Sequence, residues 1–302
     1  MNPPRHLLHL APGIEMAFRH ILADSFRMGS RGFYHDEKPV HRVTIPHDFW
    51  LGETPVTQAQ FDSWTNAAGV EHKNNFAGHP DHPAESMDWR QANAFCAWLT
   101  QTQSAHLPPG FSLACLPTEA EWEYACRAGT ATEYYTGDGE AALVRAGWFG
   151  EDWEKGGTHP VGKKSPNAFQ LFDLHGNVLE WCHDRWDASA YRQRGEGEPD
   201  PGFAFRRVEW SQGLAALERS EAPRVLRGGS WFDSAGLCRS AYRYWSRPDV
   251  RTRNFGFRVC LVRGPADSQN RSGAEPVPGD AGRGTRPESD GPGGAREKNY
   301  EG

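Results

Sequence analysis

RVLRGGSWFDSAGLCRSAYRYWSRPDVRTRNFGFRV, residues 224–259, is the stretch of sequence that decides the fold. Short apolar and aromatic segments alternate in it with glycine, serine and arginine, a pattern typical of short strands joined by ordered loops. Gly228 and Gly229 permit a close approach of two backbones, and Trp231 supplies a large ring that anchors the loop. This region therefore predicts irregular β structure at the C-terminal end of the folded part of the chain.

Helices are predicted upstream of this region. Thr57 opens the first, whose apolar residues recur at helical spacing, and Gly69 ends it. A second helix with one apolar stripe begins near Asp88. Thr118 and Glu121 form a T-x-x-E capping box at the start of a third, short helix. Because helices come first and β structure second, the sequence predicts an α+β fold.

Composition narrows the classes of function. The chain has 302 residues, of which 37% are hydrophobic, and this is ample for a large core. Its net charge is −6 and no basic stripe dominates, so we expect no nucleic-acid partner. We find neither an apolar run that could span a bilayer nor a signal peptide. The expected location is therefore cytoplasmic, with surface display by another route left open.

Both ends of the chain are predicted to lie outside the folded domain. We expect an N-terminal extension over 1–15, a domain over 16–262 and a disordered tail over 263–302. The tail is rich in glycine, proline, serine and charge, and it lacks the apolar surface needed to offset the entropy of ordering. The six cysteines contain no C-x-x-C pair, so reduced and buried thiols are expected.

Six phrases occur along the chain in a characteristic order: FRMGS, GETPVTQAQF, LPTEAEWEYACRAGT, PNAFQLFDLHGNVLEW, RVLRGGSW and NFGFRV. Together they resemble the formylglycine-generating enzyme family, also called the sulfatase-modifying factor family, over about residues 16–262. The resemblance implies a C-type-lectin-like fold, with a small twisted antiparallel sheet, two main helices and many ordered loops.

The cysteine chemistry of that family is not matched. The resemblance implies two active cysteines near the Y-R-Y tripeptide, which is residues 242–244 here. Ala241 stands at one of these positions and the other falls near Gly236, while Cys238 lies close by but alone. A single thiol cannot form a two-thiolate copper site, so we assign no catalytic residue. A formylglycine-generating-type oxidoreductase acting on sulfatase or related cysteine substrates remains the alternative.

The resemblance also implies a structural Ca²⁺ near the GNVLEW segment. Asn177, Glu180 and the carbonyl of Val178 would supply oxygen ligands, which Ca²⁺ prefers. A turn with a capped carboxylate explains the same residues, and both alternatives stay open. No other cofactor is expected.

Residues 226–259 resemble the variable region of proteins that are diversified by retroelements. RGGSW, CRSAYR, RPD and GFRV match the framework, and Arg227, Trp231, Arg239, Tyr242, Arg243 and Arg258 are expected beneath the contact face. All candidate variable residues except Trp245 are reachable from an AAC codon by changing adenines. The candidates are Phe232, Asp233, Ser234, Leu237, Tyr244, Trp245, Ser246, Val250, Thr252, Arg253 and Asn254.

This pattern predicts a non-catalytic ligand-binding protein with a diversified contact surface. Large aromatic and arginine side chains are mixed with small polar ones, as in antibody paratopes. A protein partner is expected because the face is broad and aromatic. The alternative is that these are ordinary surface loop residues.

Overall fold

The computed structural model describes residues 2–202, 206, 210 and 213–264. The strands in chain order are β1 (Arg5–Ala11), β2 (Ile14–Ile21), β3 (Ser25–Met28), β4 (His41–Thr44), β5 (Phe49–Gly52), β6 (Leu113–Cys115), β7 (Gly147–Trp148), β8 (His175–Gly176), β9 (Leu179–Arg185), β10 (Arg224–Arg227), β11 (Tyr244–Ser246), β12 (Phe255–Phe257) and β13 (Cys260–Val262). The longer helices are α1 (Gln58–Ala68), α2 (Trp89–Gln103), α3 (Glu119–Arg127) and α4 (Glu140–Ala146). Short helical segments occur at His35–Glu37, Ser104–His106, Ala190–Gln193, Leu214–Glu218 and Ala235–Leu237.

Two sheets organise the molecule. The first is antiparallel and has the strand order β1-β2-β5-β13-β6, so β13 near the C-terminal end of the described chain lies between β5 and β6. The second has the order β11-β10-β9-β12. The predicted α+β class is confirmed, but the second sheet is mixed because β12 runs parallel to β9.

The N-terminal residues, which were expected to form an extension, pair with the first sheet. Strand β1 pairs with β2 from Arg5 opposite Arg19 to Ala11 opposite Ile14. Leu8 is 1% exposed and packs into the main core. Because apolar side chains of β1 enter the core, residues 5–15 form part of the domain.

The predicted helix starts are confirmed by their caps. Thr57 caps α1 and Thr118 caps α3, in each case through a reciprocal capping box. Asp88 caps α2 in the same way, with Gln91 as its partner. Gly69 ends α1 in the left-handed conformation, with φ of 63°. These interactions satisfy amide groups that would otherwise lack partners at the helix ends.

Apolar packing joins the sheets and helices. Trp89, Trp122, Trp181 and Trp231 are among the largest fully buried side chains. All six cysteines are free and buried, as the sequence predicts. Of the predicted tail, Arg263 and Gly264 are described, and residues 265–302 lie outside the described residues. Within the described part of the chain, no helix is long and apolar enough to cross a membrane.

Candidate ligand-binding surface

Buried ion pairs fix the framework of residues 224–259. The carboxylate of Glu119 accepts hydrogen bonds from Arg243 Nε at 2.6 Å and Nη2 at 2.9 Å, and from Arg227 Nη1 at 3.1 Å. All three side chains are no more than 1% exposed. Burial alone would raise the pKa of Glu119, but Arg243 and Arg227 lower it to about 2. The carboxylate therefore stays charged and holds both arginines in place.

Two more arginines of the framework are held in the same way. Arg239 donates to both carboxylate oxygens of Glu37, at 2.9 and 2.7 Å. Arg258 pairs with Glu180 at 2.8 Å. Each of these side chains is at most 2% exposed, so the expected position of both arginines beneath the surface is confirmed.

The glycine pair behaves as the sequence predicts. Gly228 and Gly229 have φ of 98° and 69°. A Cβ atom on Gly229 would lie 2.5 Å from Cys238 Sγ and 2.8 Å from the carbonyl oxygen of Leu237. Since both the backbone angles and the close packing exclude a side chain, the turn requires glycine here.

Nine of the eleven candidate variable residues are partly or fully exposed. We call these nine the candidate surface. It consists of Phe232, Ser234, Leu237, Tyr244, Trp245, Ser246, Val250, Thr252 and Arg253.

The other two candidate residues are buried, which differs from the expectation that they face a ligand. Asp233 is 2% exposed and Asn254 is 8% exposed. Ser230 Oγ donates to Asp233 Oδ2 over 2.7 Å, and Asn254 Nδ2 donates to Ser230 Oγ over 3.3 Å. Asp233 and Asn254 thus tie two separate loops together, because their polar groups meet at Ser230.

The side chains of the three candidate residues in strand β11 point to two different faces. Trp245 stacks on Trp186, with ring centroids 6.3 Å apart, whereas the Tyr244 ring packs 6.1 Å from that of Phe255. Burial, reinforced by the nearby Asp233, raises the pKa of Tyr244. Successive side chains of a strand point to opposite faces, so Tyr244 and Trp245 cannot share one contact face through the strand alone.

An aromatic group around Trp153 contacts two residues of the candidate surface, Phe232 and Arg253. The Trp153 ring stacks on Trp231 at 5.5 Å and meets the Phe232 ring edge-on at 4.8 Å. The Arg253 guanidinium lies 4.0 Å from the Trp153 ring centroid, and its Nη2 donates to the Trp153 carbonyl over 2.5 Å. Sequence reasoning missed Trp153, because it lies far before the region that resembles the variable framework.

The family model described as the sulfatase-modifying factor enzyme 1-like domain matches residues 17–263. The chain belongs to this family.

The proteins similar to this chain include a formylglycine-generating enzyme and a protein kinase. The formylglycine-generating enzyme of Streptomyces coelicolor is 29% identical, and the match covers 87% of this chain and 91% of that protein. The serine/threonine-protein kinase pkn1 of Chlamydia pneumoniae is 30% identical over 77% of this chain. This chain spans only 36% of that kinase's length. Family membership alone therefore does not fix the activity.

A solved structure, Treponema denticola variable protein 1, has the same fold. It superposes with a TM-score of 0.69 and 27% identity, and the match covers 86% of this chain and all of that one. The predicted resemblance to the sulfatase-modifying factor family and to a variable protein is confirmed as a resemblance. The C-type-lectin-like fold predicted from the sequence is confirmed with it.

The two positions at which the resemblance predicts active cysteines, Ala241 and near Gly236, carry no thiol. Ala241 is 3% exposed, and Gly236 has open space around it. Cys238 is fully buried, and burial, together with the nearby Asp233, raises the pKa of its thiol well above the usual range. A buried, protonated thiol is a poor nucleophile and a poor metal ligand.

Two of the calcium ligands predicted from the resemblance, Glu180 and Asn177, have hydrogen-bond partners within the protein. Both carboxylate oxygens of Glu180 are engaged by Arg258, and Trp122 Nε1 also donates to it, over 2.7 Å. The Asn177 carboxamide instead pairs with both backbone groups of His159, at 3.0 and 3.1 Å.

A different residue in this loop offers a free oxygen. Asp173 is 1% exposed, and its Oδ1 has no hydrogen-bond partner among the described residues. Val178 is buried. Burial, and then the nearby charge of Glu180, raise the pKa of the Asp173 carboxyl. The calcium ion and its predicted ligands Asn177, Val178 and Glu180 stay a prediction, to which the structure adds Asp173 as a further candidate ligand. Within the described ranges, no group of three His, Cys, Asp or Glu side chains is arranged to hold a metal.

Proposed function

We propose that this chain is a non-catalytic ligand-binding protein that displays a diversified contact surface on a C-type-lectin-like scaffold. The observation that carries the proposal is the separation of exposed candidate residues from a buried, ion-paired framework. Nine candidates are at least partly exposed, while Arg227, Arg239, Arg243 and Arg258 are each at most 2% exposed. Such a division lets surface residues change without loss of the fold.

The partner we propose is a protein. The candidate surface contains aromatic and arginine side chains, the types that dominate protein interfaces. Phe232 and Arg253 contact Trp153, and all three are partly exposed. The cytoplasmic location stays part of the proposal.

The decisive test is the DNA that flanks the gene. We expect a near-copy of codons 226–259 beside a reverse transcriptase gene, with mismatches concentrated where the copy carries adenine. The mismatches should map to the candidate surface and avoid the codons of Arg227, Arg243 and Arg258. Flanking DNA without such a copy would remove the main support for diversification.

The second candidate is a formylglycine-generating-type oxidoreductase. It is favoured by the match to the Streptomyces coelicolor enzyme, which covers most of both chains. Incubation with copper and a peptide containing Cys-x-Pro-x-Arg tests it, with that enzyme as the positive control. Aldehyde formed by this chain, and lost in Cys238→Ala, would establish the oxidoreductase and refute the non-catalytic proposal.

A further inference from the structure

A loop from outside the candidate variable region crosses the beginning of that region. The Gly150 amide donates to the Asp233 carbonyl over 2.9 Å, and the Glu151 amide donates to the Trp231 carbonyl over 3.0 Å. These are backbone hydrogen bonds, so they form whichever side chains the variable positions carry. The loop is thereby fixed to the scaffold directly before Trp153.

The position of the Trp153 ring follows from this attachment. One stacking partner, Trp231, is fully buried, and its ring lies at 15° to that of Trp153. A rigid buried partner defines where the Trp153 ring can lie. The same ring then contacts Phe232 and Arg253, two candidate positions that are far apart in the sequence.

We propose that Trp153 is a fixed contact residue of the candidate surface, around which variable side chains at 232 and 253 are arranged for a protein partner. This inference rests on the proposed function. Tryptophan provides a large contact area and has only two side-chain torsions to restrict, so it loses little entropy on binding. Trp153 is itself partly exposed, which leaves ring surface for a partner. Binding therefore depends on a residue that diversification of 226–259 does not reach.

The test is a display library of the full chain, randomised at Phe232, Ser234 and Arg253 and selected against hen egg lysozyme as the probe. Trp153→Ala is then introduced into each selected clone, and the dissociation constant for lysozyme is measured. We expect at least a tenfold loss of affinity, which equals about 1.4 kcal/mol. Trp153→Phe, which keeps an aromatic ring, should lose less.

Trp148→Ala is the matched control. Trp148 lies in the same part of the chain, but its ring stacks on His159 at 4.0 Å and is covered by Lys164. Its removal should change the affinity less than twofold. Clones that keep their affinity after Trp153→Ala would overturn this inference and leave the proposed function intact. A library that gives no lysozyme binder at all would instead count against the proposed function, and this inference would fall with it.

Discussion

Replacing Glu119 by glutamine tests whether buried ion pairs hold the framework. Glutamine keeps the shape of the side chain but removes the charge that Arg227 and Arg243 share. Lowering the pKa of Glu119 from 4.5 to about 2 corresponds to about 3 kcal/mol of stability at neutral pH. Breaking a buried pair by removing one partner costs a similar amount, about 3–5 kcal/mol. We therefore expect Glu119→Gln to lose about 3 kcal/mol.

Urea unfolding followed by tryptophan fluorescence measures this loss. In a domain of this size we expect the melting temperature to fall by about 6–12 °C. The pKa of Glu119 is lowered in the folded state, so its contribution is present above about pH 4.5 and disappears as the pH falls through about 2. The difference between the two proteins should shrink to less than half at about pH 3.

A matched surface variant separates this effect from a general effect of charge. Glu196 pairs with Arg27 at 3.0 Å, and both side chains are 63% exposed. Glu196→Gln should change the stability by at most about 1 kcal/mol. The reasoning is refuted if Glu119→Gln costs no more than Glu196→Gln, or if its cost is the same at pH 7 and pH 3.

Three further predictions concern buried polar groups. Burial, and then neighbouring carboxylates, raise the pKa values of Asp184 and Asp200, so their neutral forms stabilise the fold at low pH and this stability is lost as the pH rises towards neutrality. We therefore expect Asp200→Asn to be more stable than the parent between pH 5 and pH 8. Urea midpoints that stay parallel in the two proteins over this range would contradict this prediction. We expect millimolar Ca²⁺ to raise the melting temperature by several degrees, because a hundredfold excess over the dissociation constant stabilises the folded protein by about 2.7 kcal/mol. Asp173→Asn should abolish this rise. A melting temperature that Ca²⁺ leaves unchanged would count against the site. The six buried thiols should resist a disulfide reagent in the folded protein and all react in guanidinium, so rapid labelling of Cys238 would contradict its assignment as an inert core residue.

Local sequence patterns determined the helices and turns. The capping boxes at Thr57 and Thr118 and the left-handed Gly69 depend on residues within four positions of one another, so the sequence predicts them directly. The glycine pair at 228–229 belongs to the same group. The family and the C-type-lectin-like fold followed from the order of six phrases, and the match over residues 17–263 supports them.

Burial in the candidate region was predicted only in part. The arginines of the framework were expected beneath the surface, but Asp233 and Asn254 were expected on it. Spacing along the chain identifies positions, but it does not tell whether a polar side chain finds a buried partner such as Ser230. Trp245 points away from Tyr244 because the two are successive residues of strand β11, and the resemblance did not specify this strand.

Tertiary structure alone decided which distant residues meet. Glu119 and Arg243 are 124 positions apart, and Glu37 and Arg239 are 202 positions apart. Trp153 reaches Arg253 across 100 positions. The sequence by itself determined the family, the local helix signals and the region that carries the candidate surface. It could not determine these partners, because a charge or a ring in the sequence is compatible with many distant neighbours until the packed core brings one of them into contact.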